Sequence, residues 1–151
     1  MVSNFQVVFD CADPARLCDF WSKALGYQLE APPLGFDSWE AALTAWNIPE
    51  KDWNRMSAAV PPDFQPGIGG GPRPRLLFIR VPEGKTVKNR LHLDVNAGTS
   101  RADPPAERQE KVAAKVAELE GYGAVRIEER EEYGSHWVVM NDPEGNEFCV
   151  H

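Results

Sequence analysis

One local order of residues occurs twice in this chain, and it constrains the fold more than any other feature. "FQVVFDC" reads as a strand and is followed by Asp13-Pro14, a helix cap and first-turn pair. Leu17, Phe20 or Trp21, and Leu25 then recur at helical spacing, and Gly26-Tyr27 closes the segment. The order returns as "RLHLDVN", Asp103-Pro104, the helical spacing of Val112, Val116 and Leu119, and the exit Gly121-Tyr122; Asp13 and Asp103 lie 90 residues apart. Two copies of strand, cap, helix and stop point to two similar modules built around one sheet.

Three strand candidates follow the second helix: "AVRIEE", "HWVVM" and "EFCVH", separated by polar or glycine-containing turns. The first helix is followed by "YQLE", "MSAAV" and "RLLFIRV", a poorer version of the same order. A helical insertion near residues 38–55 interrupts it, because Trp39, Leu43 and Trp46 sit at i, i+4 and i+7 ahead of the helix-breaking Pro49. "PGIGGGPRP" lacks the Gly-Lys-Ser/Thr ending of a phosphate loop and runs into a strand, so it is read as a link or a rim over a pocket.

A length of 151 residues favours a single domain, here spanning 1–151 with modules at about 4–82 and 89–151. With 16 basic against 23 acidic residues, the net charge of -7 opposes binding to nucleic acid. No apolar run approaches the roughly 20 residues of a membrane span, and the first residues lack a secretory pattern, so a cytoplasmic protein without membrane contact is expected. Cys11, Cys18 and Cys149 are odd in number and irregularly spaced, which suits small buried apolar residues in a reducing compartment.

Strand alternation assigns faces to the polar residues. It sends Glu147, Cys149 and His151 to one side and Phe148 and Val150 to the other. It likewise separates Arg90, His92 and Asp94 from Leu91, Leu93 and Val95, the apolar trio being expected to meet the helix. Three roles stay open for His92: hydrogen bonding to Asp94, Glu147 or Gln6, general-base or ligand contact, and metal ligation. Glu147 is either a base or an acceptor holding His92 or Arg90. A Cys149-His151 nucleophilic pair is not favoured. Trp21 and Trp137 are expected in the core. Trp39, Trp46 and Trp53 either line a pocket wall, fasten the insertion or cover a dimer interface.

"FQVVFDCADPARLCDFWSKALGY", "RLHLDV", "GSHWVVMNDPEGNEF" and the repeated order of elements resemble the vicinal oxygen chelate superfamily of glyoxalases, dioxygenases and antibiotic resistance proteins. The "VPEGKTVKNRLHLDV" junction is similar to an uncharacterised glyoxalase-like branch in particular. The resemblance implies an α+β fold: two βαβββ modules forming an incompletely closed, eight-stranded, barrel-like sheet around a cavity, with helices outside. It further implies ligand positions for a divalent metal at Gln6 and His92.

The final strand departs from that pattern. Metal-holding members place Glu four residues after the Gly of the last turn, where this chain has Cys149, with Glu147 two residues earlier. "LLFIRV" offers no carboxylate in the first module. We therefore expect a glyoxalase-like small-molecule pocket protein without the complete metal site and without an assigned cofactor. The alternatives are a metal-dependent lyase, isomerase or dioxygenase, a drug- or metabolite-sequestering resistance protein, or a regulatory interaction module. His92 and Glu147 are the catalytic candidates, while Gln6, Arg90, Asp94, Cys149, Trp39 and Trp53 are the ligand-binding candidates. A metal would take Gln6, His92, Cys149 and Glu147. The expected partners are a small organic molecule and a second copy in a homodimer.

Overall fold

The computed structural model describes residues 5–64, 73–100 and 102–151. The chain divides into two units, Met1–Gly84 and Lys85–His151. The glycine-rich stretch 66–72 and its reading as a link lie outside the described residues.

In the first unit, β1 (Gln6–Cys11) leads into α1 (Pro14–Leu25). Then come β2 (Gln28–Leu29), α2 (Trp39–Ala45), a 3-10 segment (Glu50–Arg55), β3 (Met56–Val60) and β4 (Arg75–Arg80). The sheet order is β1-β4-β3-β2, with β1 parallel to β4 and the other neighbours antiparallel. A tight hairpin cannot join parallel strands, so β1 and β4 become neighbours through the elements between them.

α1 packs on β3 and β4 through Leu17, Phe20 and Trp21, all at most 2% exposed. Phe9 stacks on Phe78 at 5.0 Å and meets Trp21 at 5.4 Å. Burying each such side chain contributes roughly 1.5–3 kcal/mol. Gly26, at φ +65°, closes α1 in the left-handed conformation that only glycine adopts without strain.

The start of α1 uses more than its own cap. The Asp13 carboxylate accepts from the Arg16 amide at 3.3 Å, and Asn54 of the 3-10 segment donates to it at 2.8 Å. Asn54 Oδ1 in turn accepts from the Ala15 amide at 2.9 Å, so the insertion itself satisfies a free donor of the first turn. Trp39 and Trp53 donate their indole N–H groups to the Glu30 and Ile48 carbonyls at 2.8 and 2.9 Å.

The second unit repeats the pattern with β5 (Leu93–Val95), α3 (Pro105–Gly121), β6 (Val125–Glu132), β7 (Ser135–Asn141) and β8 (Glu147–Val150). Its sheet order is β5-β8-β7-β6, again with first and last strands parallel. Each unit is thus a βαβββ module, and the eight strands of the described residues form two four-stranded sheets, each with its helix on one face. In the second, Val112, Val116 and Leu119 of α3 are buried, as are Val138 and Met140 of β7 and Phe148 and Val150 of β8.

Three local expectations change. Asp103 does not cap α3: Pro104 stands at the cap position with extended backbone, since a residue before proline is driven out of the helical region. Asp103 instead accepts from the Ser100 amide and from Lys111, at 2.9 and 2.8 Å. Gly121 stays helical, and the left-handed turn falls on Gly123 at φ +101°. β5 begins only at Leu93, leaving Leu91 70% exposed instead of against the helix, because β8 pairs with just three residues of this edge strand.

The last hairpin is fixed by Asp142. This carboxylate is 2% exposed and accepts from the Glu144 and Asn146 amides at 2.9 Å each. It thereby sets a register in which Cys149 lies opposite Val139 of β7 and Asp94 of β5.

Candidate functional site

β5 and β8 bring three ligand-capable side chains together in the second unit. The acceptor atoms of His92, Asp94 and Cys149 all lie within 4.8 Å of one another. Asp94 and Cys149 are register partners on neighbouring strands, and His92 Nε2 is 3.4 Å from the Asp94 carboxylate. Side chains two apart on a strand share a face, and this pairing is the physical origin of the cluster. Cys149 is partly buried; desolvation, with the Asp94 and Glu147 charges adding to it, pushes its thiol above the usual range. A neutral thiol is a poor nucleophile and a poor metal ligand.

The cluster lines a cavity of about 590 Å³ bounded by the β5–α3 connection, the first turns of α3, the start of β7 and the ends of β5 and β8. Trp137 and His151 are on its wall. Trp137 is thus half-buried at the cavity and not in the core, because it shares a sheet face with Val139 and Cys149, while His136, Val138 and Met140 take the helix side. The His151 amide donates to Val95 O at 3.0 Å and its carbonyl accepts from Ala97 at 2.7 Å, anchoring the residue beside β5.

Of the remaining candidates, Glu147 stands beside the cluster, while Arg90 and Gln6 stand elsewhere. Glu147 pairs with Lys88, whose ammonium holds the carboxyl below its ordinary range, so the side chain serves as an ion-pair acceptor. Arg90 is exposed ahead of β5. Gln6 lies in the first unit, where its carboxamide oxygen accepts from Arg75 Nη1 at 2.9 Å, and Arg75 also grips both oxygens of Glu30 at 2.8 and 2.5 Å.

Arg108 and His136 are among the cavity residues that escaped the reading of the sequence. Arg108 lies one turn before Val112 on the buried stripe of α3, and His136 alternates with Val138 and Met140 on the buried face of β7. A polar residue at an apolar-face position is the signal that points to both.

The sequence of residues 6–151 matches the model of the glyoxalase-like domain. The chain belongs to this glyoxalase-like family of the vicinal oxygen chelate superfamily. No curated protein matches it in sequence. Among solved structures it is similar to a glyoxalase/bleomycin resistance protein/dioxygenase family enzyme from Burkholderia phytofirmans PsJN, at 16% identity and TM-score 0.58, over 99% of this chain and 97% of that one. A hypothetical protein from S. aureus is 15% identical at TM-score 0.57, covering 99% and 93%. The fosfomycin resistance protein FosX from Listeria monocytogenes is 9% identical at TM-score 0.60, covering 100% and 93%. A mutant of that Listeria protein is complexed with Mn(II) and dihydroxypropylphosphonic acid. At these identities the likeness establishes the fold.

The residues of this glyoxalase-like chain do not fit the carboxylate-rich metal site of its superfamily. In the first unit, the oxygen of Gln6 is engaged by a guanidinium, and the residue of β4 paired with Val8 is Leu77, an apolar side chain at the register position that Cys149 occupies opposite Asp94. The second unit supplies one nitrogen, one carboxylate and one sulfur, an incomplete cluster of different composition.

Proposed function

We propose that this glyoxalase-like protein binds a small organic molecule in the cavity of its second unit. The supporting observation is convergence: His92, Asp94 and Cys149 meet at one wall of a space of about 590 Å³ that also has Trp137 as a wall. A few convergent polar groups beside an aromatic face are the usual composition of a small-molecule site. His92 and Asp94 orient the polar end of the ligand, and Trp137 contacts its flat or apolar part.

The test is a ligand-observed NMR screen on the full chain, repeated with His92→Ala. Binding should weaken at least tenfold while the circular dichroism spectrum is unchanged. Hits that bind the variant equally well, or contact only the outer face of α1, would overturn the reading.

A second reading, metal-dependent catalysis of the superfamily kind, draws on the close spacing of the His92, Asp94 and Cys149 ligand atoms. Near-stoichiometric metal that disappears with His92→Ala would favour it. We further read the protein as a cytoplasmic homodimer that does not bind nucleic acid. The charge of -7 supports the absence of nucleic acid and the odd cysteine count a reducing compartment, while the dimer follows only from the resemblance to related folds. No described helix is long and apolar enough to cross a membrane. Light scattering showing a monomer throughout the micromolar range would overturn the dimer.

A further inference from the structure

Asp94 lies in a row of side chains that crosses the whole sheet of the second unit. Its register partner is Cys149, Cys149 is opposite Val139, and Val139 is opposite Glu128. Trp137 and its partner Arg130 form the next row, two residues along β7 and β6, and therefore stand on the same face. Glu147 shares it, two residues before Cys149 on β8. This face is opposite to the one that buries Val138, Met140, Phe148 and Val150.

The carboxylates of the face are unequally matched. Glu128 is bound by Arg130 at 2.6 Å, and Glu147 is bound by Lys88. Asp94 has no lysine or arginine partner among the described residues; its neighbour is His92, whose Nε2 is 3.4 Å away, beyond a usual hydrogen bond. The Asp94 side chain is 58% exposed, so its carboxylate can be reached from the cavity that it lines. The surplus of negative charge is felt at Cys149. Burial is the main reason that this thiol stays protonated, and the Asp94 and Glu147 charges push it further than Lys88 and Arg130 pull it back.

A negative field disfavours an anionic occupant and favours a cation. An occupant that fills the cavity also strips water from Asp94, which costs free energy unless a cation replaces that hydration. A charged donor is the best replacement, since its hydrogen bond to a carboxylate is roughly twice as strong as a neutral one. One row away, the Trp137 ring supplies an apolar surface whose π face tolerates a neighbouring cation.

We infer that the polar end of the ligand is a cation: the site takes a small organic amine, whose ammonium group pairs with Asp94 while its apolar body lies toward Trp137. The inference rests on the cavity being the ligand site. Asp94 thereby sets specificity for the charge of the ligand, because it is the carboxylate of this face that a fixed cation has not already taken.

The test compares benzylamine, benzyl alcohol and benzoate, which share one ring and differ in charge, by isothermal titration calorimetry with the full chain at pH 7. Benzylamine should bind at least ten times more tightly than benzyl alcohol, and benzoate more weakly than either. Asp94→Asn should bring the benzylamine and benzyl alcohol affinities together, whereas Asp94→Glu, which retains the charge, should keep part of the preference. Equal binding of the three probes, or a preference for benzoate, would leave the cavity standing and remove the ammonium subsite. A preference for benzylamine that survives in folded Asp94→Asn would also overturn it. No binding of any probe at millimolar concentration would count against the cavity itself, and the subsite with it.

Discussion

Asp94 and Cys149 face each other across the parallel β5–β8 pair, so a carboxylate stands beside a partly buried thiol. Burial disfavours the thiolate, and the Asp94 charge disfavours it further. Alkylation of Cys149 by iodoacetamide should therefore be slow at pH 7 and rise only at more alkaline pH than for a free thiol. Asp94→Asn should move the profile toward lower pH and speed the reaction at pH 7. Cys11 and Cys18 are at most 3% exposed, so mass spectrometry of the native protein should find the label on Cys149.

The pairing of Asp13 with Asn54 predicts a pH-dependent contribution to stability. The Asn54 hydrogen bond is the main reason that the Asp13 pKa is lowered from its ordinary 3.8. A depressed carboxyl pKa stabilises the fold above the unfolded value, and the contribution is lost as pH falls through the folded value. Asn54→Ala should cost about 1 kcal/mol near neutrality, in the range of a lost helix-capping bond. Denaturant titrations should show the difference from the unaltered protein shrinking below pH 3.8.

Asp142→Ala should be far more damaging than a surface substitution. It removes an almost fully buried carboxylate and leaves the Glu144 and Asn146 amides without their acceptor. The expected loss is about 2–4 kcal/mol, since charged acceptors and newly unsatisfied donors both contribute. Urea unfolding followed by tryptophan fluorescence would measure it, and Asp142→Asn, which retains one acceptor oxygen, should lose less.

Protein purified without chelator should carry well under one equivalent of magnesium or manganese, because those ions require several oxygen ligands. The close cluster offers one carboxylate, one imidazole and one thiol. Zinc, which accepts nitrogen and sulfur, should bind more tightly than either. Elemental analysis followed by zinc titration of the unaltered chain and Cys149→Ser would check the order.

Much of this architecture is legible in the sequence. Asp13-Pro14 and Gly26 mark the ends of α1 because cap chemistry and the left-handed stop depend on a few adjacent residues. The stripe Val112, Val116 and Leu119 is buried as helical periodicity requires, and the alternation of Phe148 and Val150 with Glu147 and Cys149 holds in β8. The second cap failed for an equally local reason, the added proline at position 105.

The sequence by itself therefore determined the two modules, their order of elements and the face on which most side chains lie, since periods and caps act over one or two turns of chain. Tertiary structure alone decided which polar residues meet. Asp94 opposes Cys149 because two strands more than fifty residues apart in sequence pair in one register, and no local period encodes that offset. Lys88 takes Glu147, Arg75 takes Gln6, and Trp137 leaves the core for the cavity, each through neighbours distant in sequence. Arg108 and His136 carry the same lesson: their positions mark them as facing inward, but only the packed structure reveals that nothing in the described chain pairs with Arg108 Nε or His136 Nδ1. Hydrogen-bond satisfaction is a property of the folded surroundings, and it cannot be counted along a strand or a helix.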